Sequence, residues 1–197
     1  MSAHDDELKP ETTEGFKVGQ KKTIEEYQQL DQNDESLRKW KESLGIGTGK
    51  PLATDPNDKR TCIIESLGLE VEGRPDIIVD LRQPGAIESL KAKPFTIKEG
   101  AMFRMKVKFR VQNQVLAGLK YVQVAKRGPL SAKLQEMLGS YAPNTEERPF
   151  YEKKFEPQEA PSGMLARGTY KATSRFVDDD NVTHLQFEWV FEVKKDW

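Results

Sequence analysis

The run Phe103-Arg104-Met105-Lys106-Val107-Lys108-Phe109-Arg110-Val111 decides how this chain folds. Apolar and basic residues alternate without a break, which is the two-residue period of a half-buried strand and not the 3.6-residue period of a helix. Leu185-Gln186-Phe187-Glu188-Trp189-Val190-Phe191-Glu192-Val193 repeats the pattern, interrupted only at Val190. Leu165 to Val177 also reads as a strand, and the polar Asp178-Asp179-Asp180-Asn181 between these two runs predicts a hairpin. Shorter strands are expected at 61–71, 76–81, 94–98 and 115–126. Proline-containing loops are expected over 128–163, with one helical turn near Lys133–Leu138. Six to nine such strands, each with one apolar face, predict a β-sandwich. No glycine-rich phosphate loop and no βαβ alternation is present, which argues against a nucleotide-binding α/β fold.

Upstream of Arg60 the period changes. Residues 1 to about 22 are polar and charged without apolar periodicity, the composition of a segment that joins no core. Thr23-Ile24-Glu25-Glu26 is a capping box, and Ile24, Tyr27 and Leu30 follow at helical spacing, predicting a helix over 23–30. Asp34 and Glu35 suit the positive end of a second helix over 34–44, in which Leu37, Trp40, Lys41 and Leu44 share a face and Gly45 is the stop. Helices this short are marginal alone. Each has a narrow apolar stripe with nothing local to bury it, so the pair docks on its own domain or on a partner. Gly, Pro, Thr and Asp then dominate to Arg60, as in a linker. The expected organisation is a flexible arm, 1–51, followed by a sandwich, 52–197.

Lys plus Arg number 31 against 32 Asp plus Glu, so no net charge pulls the chain toward nucleic acid or an anionic membrane. The only cysteine is Cys62. It excludes an internal disulfide and, beside Ile63-Ile64, reads as a small buried hydrophobe. No signal peptide, spanning segment or prenylation cysteine is visible, which predicts a soluble, cytoplasmic protein. His4 and His184 cannot assemble a triad or a metal site, and no nucleophile, base and orienter recur together; no enzyme, cofactor or metal is expected. The Asp178–Asp180 run lacks the glycine and distal glutamate of a calcium loop, leaving a solvated turn or a contact to a basic partner. Arg104, Lys106, Lys108 and Arg110 read as a solvated outer face. The stripe Phe103, Met105, Val107, Phe109 with Leu185, Phe187, Trp189, Phe191 is either packed core or a lined cavity, and periodicity alone leaves both open.

Several strings resemble the Rho GDP-dissociation inhibitor family. They are Asp34-Glu35-Ser36-Leu37-Arg38-Lys39-Trp40-Lys41-Glu42, Gly118-Leu119-Lys120-Tyr121-Val122-Gln123, Gly139-Ser140-Tyr141, Glu159-Ala160-Pro161-Ser162-Gly163-Met164-Leu165-Ala166-Arg167-Gly168, and Ser174-Arg175-Phe176-Val177-Asp178-Asp179-Asp180. They occur in family order from about residue 20 to the C-terminus, and Ala142-Pro143-Asn144-Thr145 resembles fungal members in particular. The resemblance implies an immunoglobulin-like sandwich with an N-terminal regulatory arm. It also implies binding of prenylated, GDP-bound Rho-family GTPases as 1:1 heterodimers, slowed nucleotide release, and extraction from membranes with the geranylgeranyl group held between the sheets.

Carried onto this chain, Asp34 and Ser36 would approach the GTPase switch region, with Leu37, Trp40 and Leu44 as an apolar docking face. Asp179 and Asp180 would contact the GTPase. Glu159 would face its basic tail, although Gln158 stands where the family has a second acid. Leu67, Leu69, Phe95, Phe103, Met105, Val115, Ala172 and Trp189 would line the prenyl pocket. Ala172 is smaller than the animal residue, and Phe187 stands where animal members often carry Trp. The competing reading is a general prenyl-protein carrier similar to the phosphodiesterase delta subunit, which has a lipid pocket but no switch-binding arm.

Overall fold

The computed structural model describes residues 7–11, 26, 35–36, 39, 46 and 49–197. The strands are β1 (Cys62–Val71), β2 (Ile77–Asp80), β3 (Phe95–Lys98), β4 (Met102–Val111), β5 (Leu116–Arg127), β6 (Leu130–Tyr141), β7 (Tyr151–Lys154), β8 (Gln158–Glu159), β9 (Gly168–Val177) and β10 (Thr183–Lys194), and helix α1 (Ala86–Ala92) precedes β3. They form the expected sandwich. Sheet one runs β2-β1-β4-β7, with β8 also on β4, and sheet two runs β3-β10-β9-β5-β6. The decisive run is β4, at the centre of sheet one. Its Met105, Val107, Phe109 and Val111 point into the core, and its basic residues point out, as the alternation requires.

The hairpin of the two later runs is also present. β9 and β10 pair antiparallel with Trp189 opposite Ala172, and their turn places Asn181 at φ 60°, a left-handed conformation that asparagine tolerates. The strand expected at 94–98 is β3; what the pattern did not indicate is its parallel addition to β10, Phe95 beside Phe191. The inter-sheet core joins Leu67, Leu69, Val107, Phe109, Tyr121, Phe176 and Trp189.

Three expectations are corrected. The stretch near Lys133–Leu138 is not a helical turn but the middle of β6, paired along its length with β5. Leu134 and Leu138 are four residues apart, a spacing that suits one helix face and one strand face equally, and the long edge of β5 selects the strand. The loop over 128–163 is accordingly interrupted by β6, β7 and β8. The first residues do not all stay clear of the sandwich, because Leu8 is 0% exposed against the outer face of sheet two.

The expected helices at 23–30 and 34–44 lie outside the described residues apart from a few positions. Glu26, Glu35, Ser36 and Lys39 are helical, and Glu35 pairs with Lys39 one turn on at 2.9 Å. Asp34, Leu37, Trp40 and Leu44 lie outside the described residues. The chain meets the sandwich at Pro51, which bridges to Thr145, and at Leu52, whose N–H donates to the Asn144 carbonyl at 3.2 Å.

Candidate functional site

The registers sort the remaining candidates to two poles of the sandwich. Leu69 stands opposite Met105 and Val71 opposite Phe103, Phe103 opposite Gln158 of β8, and Phe191 between Phe95 and Tyr170. These residues, with the exposed Glu159, occupy one pole and the layer next to it. Asp179 and Asp180 occupy the other, where the Asp179 N–H donates to Ala117 at 3.0 Å. Val115 joins them there, between the end of β4 and the start of β5. Met105 and Val111 are six residues apart along β4, about 20 Å of strand, so Val115 is not brought to the other pocket candidates; the β4–β5 turn carries it to the far end.

At the first pole the two sheets separate slightly. Leu67, Leu69, Met105, Phe187, Trp189, Phe95, Ile77 and Leu90 enclose a cavity of about 20 Å³, room for one water molecule. Ile77, Leu90 and Phe95 also line an open lateral groove of about 780 Å³, which continues past Arg74, Val79, Pro94 and Trp197. Those three side chains therefore form the partition between an internal apolar seam and the surface. Leu90 is 3% exposed and comes from α1, whose Lys91 pairs with Glu188 of β10. Helix α1 thus closes the open edge between β2 of sheet one and the β3–β10 edge of sheet two. Ile77 and Leu90 were not among the lining residues read from the sequence, whereas Phe187 was read on the apolar stripe through its strand alternation; a seven-residue helix gave no such signal.

Trp189 is the best-positioned wall. Its Nε1 donates to Ser174 Oγ at 2.9 Å, and Tyr121 Oη lies 2.7 Å from the same hydroxyl and donates to Gln123 Oε1 at 2.7 Å. This buried chain fixes the indole edge on, with Phe95 packed edge-to-face at 5.8 Å. Burial pushes the Tyr121 phenol far above its ordinary value, so it stays a neutral donor. Ala172, cross-strand from Trp189, is buried on the same face and leaves room beside the ring.

At the second pole the acidic turn is not a solvated run. Asp178 is 4% exposed, accepts from the Val182 N–H at 2.9 Å and lies 2.9 Å from His184 Nε2, so His184 is an inward partner of the turn and not a bare strand-edge residue. Asp179 accepts from Lys120 Nζ at 2.6 Å, with only 6% of the lysine side chain exposed. Gly118, at φ +58°, lies directly beneath that carboxylate: a Cβ there would stand 1.9 Å from Oδ2. Asp180 is half-buried.

In the outward basic row of β4, Arg104 and Lys106 are likewise paired. Glu70 of β1 receives Lys154 at 2.7 Å, Arg104 at 2.5 Å and Lys106 at 3.4 Å, and Lys106 also reaches Asp76 at 2.7 Å. The Lys154, Arg104 and Lys106 hydrogen bonds hold the Glu70 carboxyl down at about 2. Cys62 is buried as expected, its thiol pushed up to about 12 by desolvation and by nearby Asp178. Among the described residues no three His, Cys, Asp or Glu side chains gather to hold a metal, and no helix is long and apolar enough to cross a membrane.

Comparison with known proteins decides between the readings that this geometry leaves. The profile of the RHO protein GDP dissociation inhibitor family matches residues 1–196. The chain belongs to that family. It is 48% identical to the Rho GDP-dissociation inhibitor of Schizosaccharomyces pombe, over 98% of this chain and 94% of the relative. Identity to the Saccharomyces cerevisiae Rho GDP-dissociation inhibitor is 44%, covering 91% and 90%. Human Rho GDP-dissociation inhibitor 1 is 42% identical, covering 92% and 86%. The family match includes the arm, which a sandwich-only lipid carrier would not require.

Proposed function

We propose that this protein binds prenylated, GDP-bound Rho-family GTPases, slows their nucleotide release, and holds them in the cytosol with the geranylgeranyl chain between its two sheets. The observation that carries the reading is the apolar seam at Leu67, Leu69, Phe95, Met105 and Trp189, separated from a lateral groove only by Ile77, Leu90 and Phe95. The seam is nearly closed without lipid, and the groove outside it has the volume of a ligand site. Displacing Leu90 and Phe95 would join the two into one apolar slot. Phe103 extends the slot toward the pole, and Ala172 leaves space along the inner wall.

Each methylene removed from water gains about 0.8 kcal/mol, and a membrane offers the same gain. A pocket alone therefore only matches the bilayer. The margin comes from a second handle joined to the first, which raises the effective concentration of both. In this reading the handle is the arm, 1–51, with Asp34 and Ser36 at the switch region and Leu37, Trp40 and Leu44 as the apolar face, while 52–197 is the lipid-binding unit. Asp179 and Asp180 contact the GTPase from the acidic turn at the far pole, where Lys120 anchors Asp179. Glu159 lies beside the lipid pole, where a basic tail leading to the prenyl cysteine would pass. The protein acts by binding, as a monomer in a 1:1 complex, and carries out no chemistry.

The test is extraction. Prenylated, GDP-loaded Rho protein on liposomes is incubated with this protein and sedimented. The GTPase is expected in the supernatant, with slowed release of labelled GDP. GTPase that stays in the pellet at excess protein overturns the reading. Extraction without any contact to unprenylated Rho protein would indicate a general prenyl-protein carrier instead.

A further inference from the structure

The outer face of sheet two carries a built site that neither the lipid seam nor the acidic turn accounts for. Strand alternation turns Lys120, Val122, Val124 and Lys126 of β5 outward, away from the inter-sheet core that holds Tyr121 and Ala125. The β6 register sets Gln135 opposite Val122 and Lys133 opposite Val124, and Val177 of β9 stands opposite Lys120. A patch of valines on an outer face is ordinarily wet. Here Val122, Val124 and Val177 are 0%, 3% and 2% exposed, and the fourth member of their cluster, separate from the inter-sheet core, is Leu8.

Polar contacts grip the chain on both sides of Leu8. The Glu7 carboxylate pairs with Lys126. Lys133 donates to the Lys9 carbonyl at 3.0 Å and reaches the Glu11 carboxylate at 3.3 Å. The Gln135 side chain donates to the Glu11 carbonyl at 3.0 Å and accepts from the Glu11 N–H at 2.7 Å, the paired bonds by which an amide side chain reads a strip of backbone. Pro10 restricts the backbone between the two grips. One leucine between two acids thus meets three valines between two lysines.

We infer that this face is a receptor for the chain's own segment Glu7–Glu11, a clasp that fastens the far end of the arm to the sandwich. The near end is fixed at Pro51 and Leu52. The arm is then a loop closed at both ends, not a tail, and the entropy of closing it is spent before any partner arrives. Screening by salt loosens the half-exposed ion pairs and leaves the Leu8 contact. The benefit to GTPase binding rests on the role proposed above for the arm; the clasp itself does not.

The test uses the full chain with no GTPase present, so it stands apart from extraction. Leu8→Asp vacates the site. A fluorescent peptide of residues 1–14 is expected to bind this variant saturably and the unmodified chain at least about tenfold more weakly, because a tethered segment competes at high effective concentration. The same peptide carrying Leu8→Asp is expected not to bind, and Lys126→Glu with Lys133→Glu in the vacated chain weakens binding. In parallel, a glutamate-specific protease is expected to cut after Glu11 about tenfold faster in Leu8→Asp than in the unmodified chain. Unchanged cleavage, or equal binding of the peptide to both chains, overturns the clasp.

Discussion

Glu70 shows how an outward-facing residue can matter as much as a core one. Lys154, Arg104 and Lys106 converge on its carboxyl and hold it near 2 instead of the ordinary 4.5. A depressed carboxyl stabilises the fold above its ordinary value, and that contribution is lost as pH falls from about 4.5 through about 2. Glu70→Gln is therefore expected to be less stable than the parent at neutral pH and to show a flatter loss of stability across that window. Urea unfolding at several pH values, with the carboxyl resonance followed by NMR, checks both statements. Asp179, on the acidic turn, answers a buried lysine. Asp179→Asn strips that charge partner and is expected to cost about 1–3 kcal/mol. Urea midpoints at low salt measure the cost, which sets how a GTPase affinity of the variant is read.

Among the elements, α1 and β6 do what no periodicity announced. Helix α1 has seven residues and buries one of them, Leu90, yet that side chain separates the apolar seam from the groove outside. Leu90→Ala is expected to lower stability by about 2–4 kcal/mol in the lipid-free chain, the usual cost of truncating a buried leucine. If the slot opens at this partition, the same variant takes up a geranylgeranylated peptide faster than the parent. Stopped-flow fluorescence of Trp189, in a background with Trp40→Phe and Trp197→Phe, measures the rate, and an unchanged rate places the entry elsewhere. Strand β6 contributes Leu134 and Leu138 to the inter-sheet core and, through its outward Lys133 and Gln135, the grip on the N-terminal segment. A charged residue on an edge strand, here Lys133, also discourages pairing with another copy.

For the whole molecule, the proposed division of labour is between the sandwich, 52–197, and the arm, 1–51. A chain beginning at Leu52 is expected to keep the cooperative unfolding of the sandwich and to lose most inhibition of GDP release. Circular dichroism with a nucleotide-exchange assay reads both, and full inhibition by the shortened chain would count against the arm. The same truncation uncovers Val122, Val124 and Val177, which Leu8 covers in the full chain. The shortened chain is therefore expected to self-associate more readily at high salt, where apolar contacts persist and charge repulsion is screened, as light scattering would report.

The alternation at 103–111 and 185–193 by itself determined two-sided strands and hence a sandwich, because a period of two has one physical solution when only one face is apolar. The period also placed most strand boundaries within two residues and Met105 and Trp189 on inward faces, and Cys62 read as core beside Ile63-Ile64, whereas Leu67 and Leu69 came from the family resemblance alone. Tertiary structure alone decided the rest. Leu134 and Leu138 suit a helix or a strand until β5 offers an edge. Phe95 reaches the seam only because β3 adds to β10 in parallel, a contact between residues 95 and 191 that no local pattern encodes. Val115 follows apolar strand residues yet lies at the wrong pole, since a turn reverses position along the sandwich without changing composition. Asp179 and Leu8 stand in polar surroundings in the sequence, and their partners, Lys120 and the outer valines, are far along the chain. Local periodicity reports which face is apolar; only the folded register reports what stands opposite it.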